Sequence, residues 1–548
     1  MEKSYFWKNS TVYQIYPRSF CDSDGDGVGD IRGIISKLDY LADLGIDVIW
    51  LSPVYKSPND DNGYDISDYK DIQPEFGTMA DFDELLEGAR ARGIKIIMDL
   101  VINHTSDEHE WFKRALAGEE KYKNYYIIKK GKPGGKLPNN WGNFFADCPW
   151  EPFGNPENNE YYLHLFSKKQ PDLNWYNPEV YNEIADIMRF WLDKGVAGFR
   201  CDVINVIFKE SFADGKRRLA LTGKEHYIST EGNHRILNAL RRDVMDNYDA
   251  FTVGETVMID IPMGRDLTDE DRGELDMVFA FEHMECDQIG VKWFKTRFKP
   301  RKLMKILTKW QNGIKWNSLY FENHDQPRSV TRFVKGGEHR KAGSKMLIGL
   351  LLSLRGTPYF YEGQEIGMTN GAFNSLDEIV DIESHNVNKM AKSLGILNPW
   401  RWKLIRTTSR DNARTPMQWT SGENAGFTTG KPWLKLNPNY KEINVERDLS
   451  DEDGIIAFFK KMNAYRKSSQ VLLSGEFSEL MSSKYVYAFE RRLGDEALIA
   501  VFNFADKTKK LPEFCKGERV ISNYTEPCGE GLRPYEFVLY KAGGSLND

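Results

Sequence analysis

Short apolar runs alternate with longer stretches whose apolar positions recur every three or four residues. The runs predict strands over residues 11–16, 47–51, 94–101, 196–202, 250–255, 277–281, 318–325 and 358–362. Their apolar content is nearly continuous, as in parallel strands covered on both faces. Between several of them the period is helical. Residues 33–44 place Ile34, Leu38, Leu41 and Leu44 on one face, and 81–92 and 179–193 repeat the spacing. A glycine follows each segment closely, as expected of helix C-termini. Eight strand–helix repeats predict an α/β fold of the (β/α)₈ TIM-barrel type. Its active site would lie at the C-terminal ends of the strands.

Two interruptions and a change of character complete the pattern. After the third strand, residues 105–175 are rich in Gly, Pro, Asn and aromatics and include KKGKPGGKLPNNW. They also carry Trp111, Trp141, Trp150 and Trp175, so they read as an inserted loop-rich domain, not a linker. A second insertion, near 370–447, is polar and irregular. From about 474, KYVYAFERRL and ALIAVFNFA predict antiparallel strands. The expected organisation is a barrel in two parts, 1–104 and 176–473, with the 370–447 subdomain in the second. The inserted domain at 105–175 separates them, and a C-terminal β-sandwich domain at 474–548 follows.

The strand ends carry the candidate chemistry. The third ends in DLVINH, the fourth in GFRCD, the fifth in GE and the seventh in ENHD. Converging on one barrel mouth, they would collect His104, Arg200, Asp202, Glu255, His324 and Asp325. Any one acid alone could simply cap the following helix; the set with two His and one Arg points to a site. Glycosidic cleavage needs two carboxyls in different protonation states. Asp202 and Glu255 come from adjacent strands about 4.8 Å apart, so the retaining separation of roughly 5–5.5 Å is feasible. Arg200, two residues before Asp202 on the same strand face, should hold it ionised. Glu255 follows an apolar strand with no charged partner directly before it, which favours its protonated form.

Composition narrows the partners. The chain has 548 residues, 41 % of them hydrophobic, which suits two to four structural units. Fourteen Trp and 26 Tyr could wall a sugar site, although large cores use the same residues. The net charge is −7, with Lys and Arg spread out, which argues against nucleic acid or an anionic membrane as partner. The start, MEKSYFWKNS, has no secretory pattern, and the apolar runs fall far short of the roughly 20 residues that span a bilayer. Six cysteines without a CxxC suggest reduced thiols and a cytoplasmic location. Cys515 and Cys528 could pair in an oxidising compartment. No organic cofactor is expected.

The motifs DLVINH (99–104), QPDLN (170–174), GFRCDVIN (198–205), VGET (253–256) and FENHD (321–325) occur in one ordered set. With them the chain resembles the α-amylase family of glycoside hydrolases over essentially its whole length. Within it, bacterial oligo-1,6-glucosidases and related α-glucosidases are the most similar. The resemblance implies Asp202 as nucleophile, Glu255 as acid and then base, and Asp325 as the group that holds the ring hydroxyls. His104, Arg200 and His324 would support the same glucose. In NDDNGYD, Asp61 would bind the far hydroxyls, with Tyr64 stacked on the ring. Arg414, in NARTPMQW, would pair with Asp61 and close the pocket, making the enzyme exo-acting. Gln170, Phe145 and Phe166 are further sugar-side candidates, with core packing open for the two Phe. Val203, after the nucleophile, would favour α-1,6 over α-1,4 bonds, since a Val here goes with α-1,6 activity and a Thr with α-1,4.

The segment 22–30, DSDGDGVGD, stands apart. Asp22, Asp24, Asp26, the Val28 carbonyl and Asp30 occupy alternate positions, like the first part of an EF-hand loop, but Gly33 replaces the bidentate Glu at its twelfth position. One loop-bound structural Ca²⁺ is expected, and relatives bind calcium at the matching loop. The expected substrate is a short isomalto-oligosaccharide, acted on by a monomer or weak homo-oligomer. Alternatives on the same scaffold are trehalose-6-phosphate hydrolase, α-1,4-glucosidase and sucrose-active enzymes. A non-catalytic transporter-subunit-like relative is a distant one.

Overall fold

All eight apolar runs become strands of one parallel sheet. The computed structural model describes residues 4–145, 147–218, 220–526 and 531–542. The strands are β1 (Val12–Ile15), β2 (Val48–Leu51), β3 (Lys95–Leu100), β4 (Gly198–Cys201), β5 (Phe251–Glu255), β6 (Met277–Phe279), β7 (Ser318–Leu319) and β8 (Thr357–Tyr361). Their order, β6-β5-β4-β3-β2-β1-β8-β7, is that of a barrel opened between β6 and β7. Side chains close that gap: Ser318 Oγ donates to the Val278 carbonyl at 2.6 Å and Tyr320 OH to that of Ala280 at 3.0 Å. The chain forms a (β/α)₈ barrel.

The helices follow the apolar period, with one difference. Helix α1 (Met79–Ala91) starts at a Thr78–Asp81 capping box, and α2 (Pro178–Lys194) runs from an Asn177 cap to Gly195 in the left-handed region. The segment expected as one helix over 33–44 splits into Ile31–Ile35 and Leu38–Asp43. Ser36 Oγ donates to the Gly33 carbonyl at 2.7 Å, in competition with the helical ladder. The seventh apolar run is strand for two residues, and Tyr320–Asp325 leave the sheet as an irregular rim.

The 105–175 segment contributes a small antiparallel sheet of Ile128–Lys130, Glu160–Leu163 and Trp150–Pro152, with the second in the middle. Trp141, Trp150, Leu163 and Leu165 form its core, which extends into the barrel mouth through Val203, Val206 and Tyr227. The 370–447 segment is less irregular than expected. It holds α3 (Ile382–Ser393), a helix over Asn398–Thr408 and the short α4 (Asp411–Arg414). Val387 and Ile405 from the first two pack with Phe373 and Trp293 from outside these helices, a grouping that the interleaved charges conceal in the sequence. The tail forms a five-stranded antiparallel sheet, with Val486–Leu493 paired to Glu496–Asn503. The buried Arg491 ties it to the barrel by donating to the Ser353 carbonyl at 2.9 Å. Cys528, which could pair with Cys515 only in an oxidising compartment, lies outside the described residues, as do 543–548. No helix among the described residues is long and apolar enough to cross a membrane.

Candidate active site

The register of β4 and β5 sets the site. Val253 pairs with Arg200 and Gly254 with Cys201, so Glu255 and Asp202 leave the sheet side by side. Gly198 begins β4 where a Cβ would meet the Phe251 carbonyl oxygen at 2.0 Å, so glycine lets β4 and β5 approach. The Arg200 guanidinium, 1 % exposed, lies between three carboxyls. Its Nη1 donates to Asp99 Oδ1 at 2.5 Å and to Asp202 Oδ1 at 2.7 Å, while Nη2 lies 2.7 Å from Glu255 Oε2. Glu255 therefore has the charged partner that the sequence did not suggest, because a fork of five donors serves several acceptors at once.

Burial pushes the Glu255 carboxyl up to about 8, with Arg200 opposing and the charges of Asp202 and Asp325 reinforcing. Burial also raises Asp202, to about 6, against Arg200 and a hydrogen bond from Glu255. The pair titrates as a unit. Near neutral pH its carboxyls hold different charges, with the proton on the Glu255 side.

Asp325 sits on the irregular rim after β7, where its N–H donates to Asn323 Oδ1 at 2.9 Å. Burial opposes its ionisation, yet neighbouring positive charge holds it well below the usual carboxylate range. Burial keeps His324 neutral, with its pKa down at about 3. With His324 neutral, the cations that hold Asp325 are Arg414, at 2.7 Å, and Arg410, at 3.6 Å, with a further contribution from Lys292. His324 is sandwiched between the Tyr64 and Tyr16 rings, at 5.2 and 5.9 Å between centroids. Gln14 Nε2 donates to its Nδ1 at 2.8 Å, which leaves the ring proton on Nε2, facing Asp325.

The far end of the pocket corrects one expectation. Asp61 pairs with Arg410, whose Nη2 lies 3.0 Å from Asp61 Oδ1, and Arg414 pairs with Asp325 instead. Arg410 and Arg414 are one helical turn apart and reach the same cavity at different depths, so spacing could not rank them. Gln170 Nε2 donates to Asp61 Oδ2 and to the Tyr64 carbonyl, both at 3.3 Å. His104 lies beside them, its Nε2 3.1 Å from the Tyr64 carbonyl, and burial lowers its pKa to about 4. Phe166 packs 5.3 Å from His104, and Phe145 lies under Arg410, 5.5 Å from Cζ. Both Phe thus line the site while packing on each other at 5.7 Å.

Val203 has φ 36° and ψ 39°, a left-handed conformation costly for a β-branched residue. This turn aims its N–H at Glu255 Oε2, 3.3 Å away. Three residues at the site were not assigned from the sequence. Asp99 opens the quoted DLVINH motif, and its charge at a buried strand end was a usable signal. Gln14, inside an apolar strand, was a weaker one. Arg410 was hidden by its twin.

In the 22–30 loop, Asp22, Asp24 and Asp30 each bring one carboxylate oxygen within 4.8 Å of the others. Asp26 is not in that cluster; its Oδ1 accepts the Val28 N–H at 2.7 Å. Asp22 also accepts from Gly25 N at 2.7 Å and Gly27 N at 2.8 Å.

The catalytic-domain family of the alpha amylases matches residues 14–475. An oligo-1,6-glucosidase of Parageobacillus thermoglucosidasius is 49 % identical, over 98 % of this chain and 99 % of its own. The structure is similar to that of Bacillus licheniformis trehalose-6-phosphate hydrolase, with TM-score 0.92 and 44 % identity over 98 % and 100 % of the two chains. It also resembles an isomaltulose synthase mutant of Erwinia rhapontici NX5 in complex with its natural substrate sucrose. There the TM-score is 0.94 at 37 % identity, over 98 % and 99 % of the chains. The chain belongs to the α-amylase family of glycoside hydrolases.

Proposed function

We propose that the protein is a retaining, exo-acting α-glucosidase that releases the terminal α-1,6-linked glucose of isomaltose and short isomalto-oligosaccharides. The observation that carries this reading is the Asp202–Glu255 pair, bridged by Arg200 at 2.7 Å to each and split in proton affinity. Ionised Asp202 attacks the anomeric carbon as Glu255 gives its proton to the departing oxygen, leaving a β-glucosyl ester. Glu255, now a carboxylate, takes a proton from water, and the water opens the ester with net retention. Arg200 follows the negative charge as it passes from Asp202 to Glu255. Asp325, kept ionised by the two guanidinium groups, binds ring hydroxyls and stabilises the oxocarbenium-like charge. Asp61 and Arg410 close the pocket beyond the terminal sugar, which supports exo action.

The α-1,6 preference is supported by Val203 and by the oligo-1,6-glucosidase relative. Initial rates on isomaltose, maltose, sucrose, trehalose and trehalose 6-phosphate test the assignment; fastest turnover of any but isomaltose contradicts it.

One structural Ca²⁺ in the 22–30 loop belongs to the same reading. The fit rests on the three clustered carboxylates, whose spacing suits oxygen ligands at 2.3–2.6 Å from a shared ion. Asp22, Asp24 and Asp30 would hold it, and it would tie the loop after β1 in place. A cytoplasmic location fits the five free cysteines among the described residues. A monomer or weak homo-oligomer is part of the same proposal.

A further inference from the structure

Arg410 is oriented from behind. We propose that Asp381 is a positioning residue for the terminal-glucose pocket, holding the Nε edge of Arg410 so that its two Nη groups face Asp61 and Asp325. This rests on the reading of Asp61 and Arg410 as the closed end of a glucose site.

Asp381 is 0 % exposed and caps α3. Its Oδ1 accepts the Arg410 Nε–H at 2.8 Å and the Glu383 N–H at 3.1 Å. Its Oδ2 accepts Ser384 Oγ at 2.7 Å and the Arg410 backbone N–H at 3.3 Å. The Asp381 N–H is held in turn by Asp411 Oδ2 at 3.0 Å. Two carboxylates thus bind the start of α3 to the start of α4. A guanidinium anchored at Nε cannot turn about its Cδ–Nε bond, so the Nη groups keep their aim: Nη2 at 3.0 Å from Asp61 and Nη1 at 3.6 Å from Asp325. Released from Asp381, it would rotate and loosen both contacts. The 370–447 insertion therefore reaches the catalytic pocket through a side chain that touches no substrate.

A cap alone does not require this acid, because Asn caps a helix as well as Asp. Asp381→Asn therefore keeps the cap and removes the charge behind Arg410. The test is a double-mutant cycle with Arg410→Ala, read as kcat/KM on p-nitrophenyl α-glucoside and as calorimetric affinity for 1-deoxynojirimycin. Asp381→Asn should lower kcat/KM by about tenfold to a hundredfold and weaken the inhibitor in parallel. In the Arg410→Ala background it should add less than about threefold. Wild-type-like values for Asp381→Asn, or equal losses in both backgrounds, would overturn the proposal. If Asp381→Asn does not fold, Ser384→Ala replaces it, with an expected loss of about twofold to fivefold that vanishes in Arg410→Ala. No loss from Ser384→Ala, or equal losses in both backgrounds, would also overturn it. A wild type that neither hydrolyses the glucoside nor binds the inhibitor would overturn the glucosidase reading, and with it this proposal.

Discussion

Val203→Thr isolates the contact assigned to linkage selectivity. Val203 is 6 % exposed, adjoins Glu255 through its N–H, and packs with Trp141, Trp150 and Leu165. Thr has nearly the same shape and is equally β-branched, so the left-handed strain at φ 36° cancels in the comparison. What changes is one methyl for one hydroxyl. If that hydroxyl found no partner, its desolvation would cost about 1–3 kcal/mol. That cost would fall on both substrates alike and also lower the melting temperature. A bond to the second glucose of maltose would be worth about 0.5–1.5 kcal/mol net. The ratio of kcat/KM for isomaltose to that for maltose should therefore fall about twofold to tenfold. The assay is initial rates on both disaccharides, with a thermal melt of each protein. Two rates that fall together, with lower melting, would show packing damage to the insertion core and no selectivity role. An unchanged ratio would remove Val203 as the determinant and move attention to Gln170 and the 105–175 segment.

Asp202→Asn should abolish turnover while the fold persists, because the amide is nearly isosteric but a poor nucleophile; circular dichroism with a rate assay checks this, and a loss of only a fewfold refutes the assignment. The pH profile of kcat/KM should be a bell. Activity falls below about 6 as Asp202 gains a proton and above about 8 as Glu255 loses one, with the maximum near neutrality. An acid limb near 4 in the kinetic titration would mean that Asp202 is not raised. Stripping calcium should lower the melting temperature more than it lowers the rate at low temperature, since a ligand of the native state at 100 times its Kd stabilises it by about 2.7 kcal/mol. Metal analysis of dialysed protein that finds no calcium, with no melting shift on addition, refutes the site.

Much of the barrel was legible because its strands are covered on both faces and so read as unbroken apolar runs. The limits of legibility have physical causes. The seventh run continues apolar and aromatic past Leu319, so pattern alone could not show that Tyr320–Asp325 leave the sheet. The helices of the 370–447 segment were missed because exposed charges interrupt their apolar stripe, whose partners, such as Trp293, lie far away in sequence. The polar residues at the strand ends were found because charge is rare at the end of a buried strand. Pairings were less legible. Arg200 sits two residues from Asp202, yet its bond to Glu255 depends on the β4–β5 register. The choice between Arg410 and Arg414 for Asp61 depends on the depth of one helical turn.

The most direct test is time-resolved proton NMR of isomaltose hydrolysis by the wild-type protein, begun at high enzyme concentration and followed through the first minutes. The glucose released from the non-reducing end should appear first as the α-anomer and only then mutarotate, because Asp202 and Glu255 work through two successive inversions. Glucose released first as the β-anomer, or no turnover of isomaltose alongside rapid turnover of trehalose 6-phosphate, would contradict the proposed function.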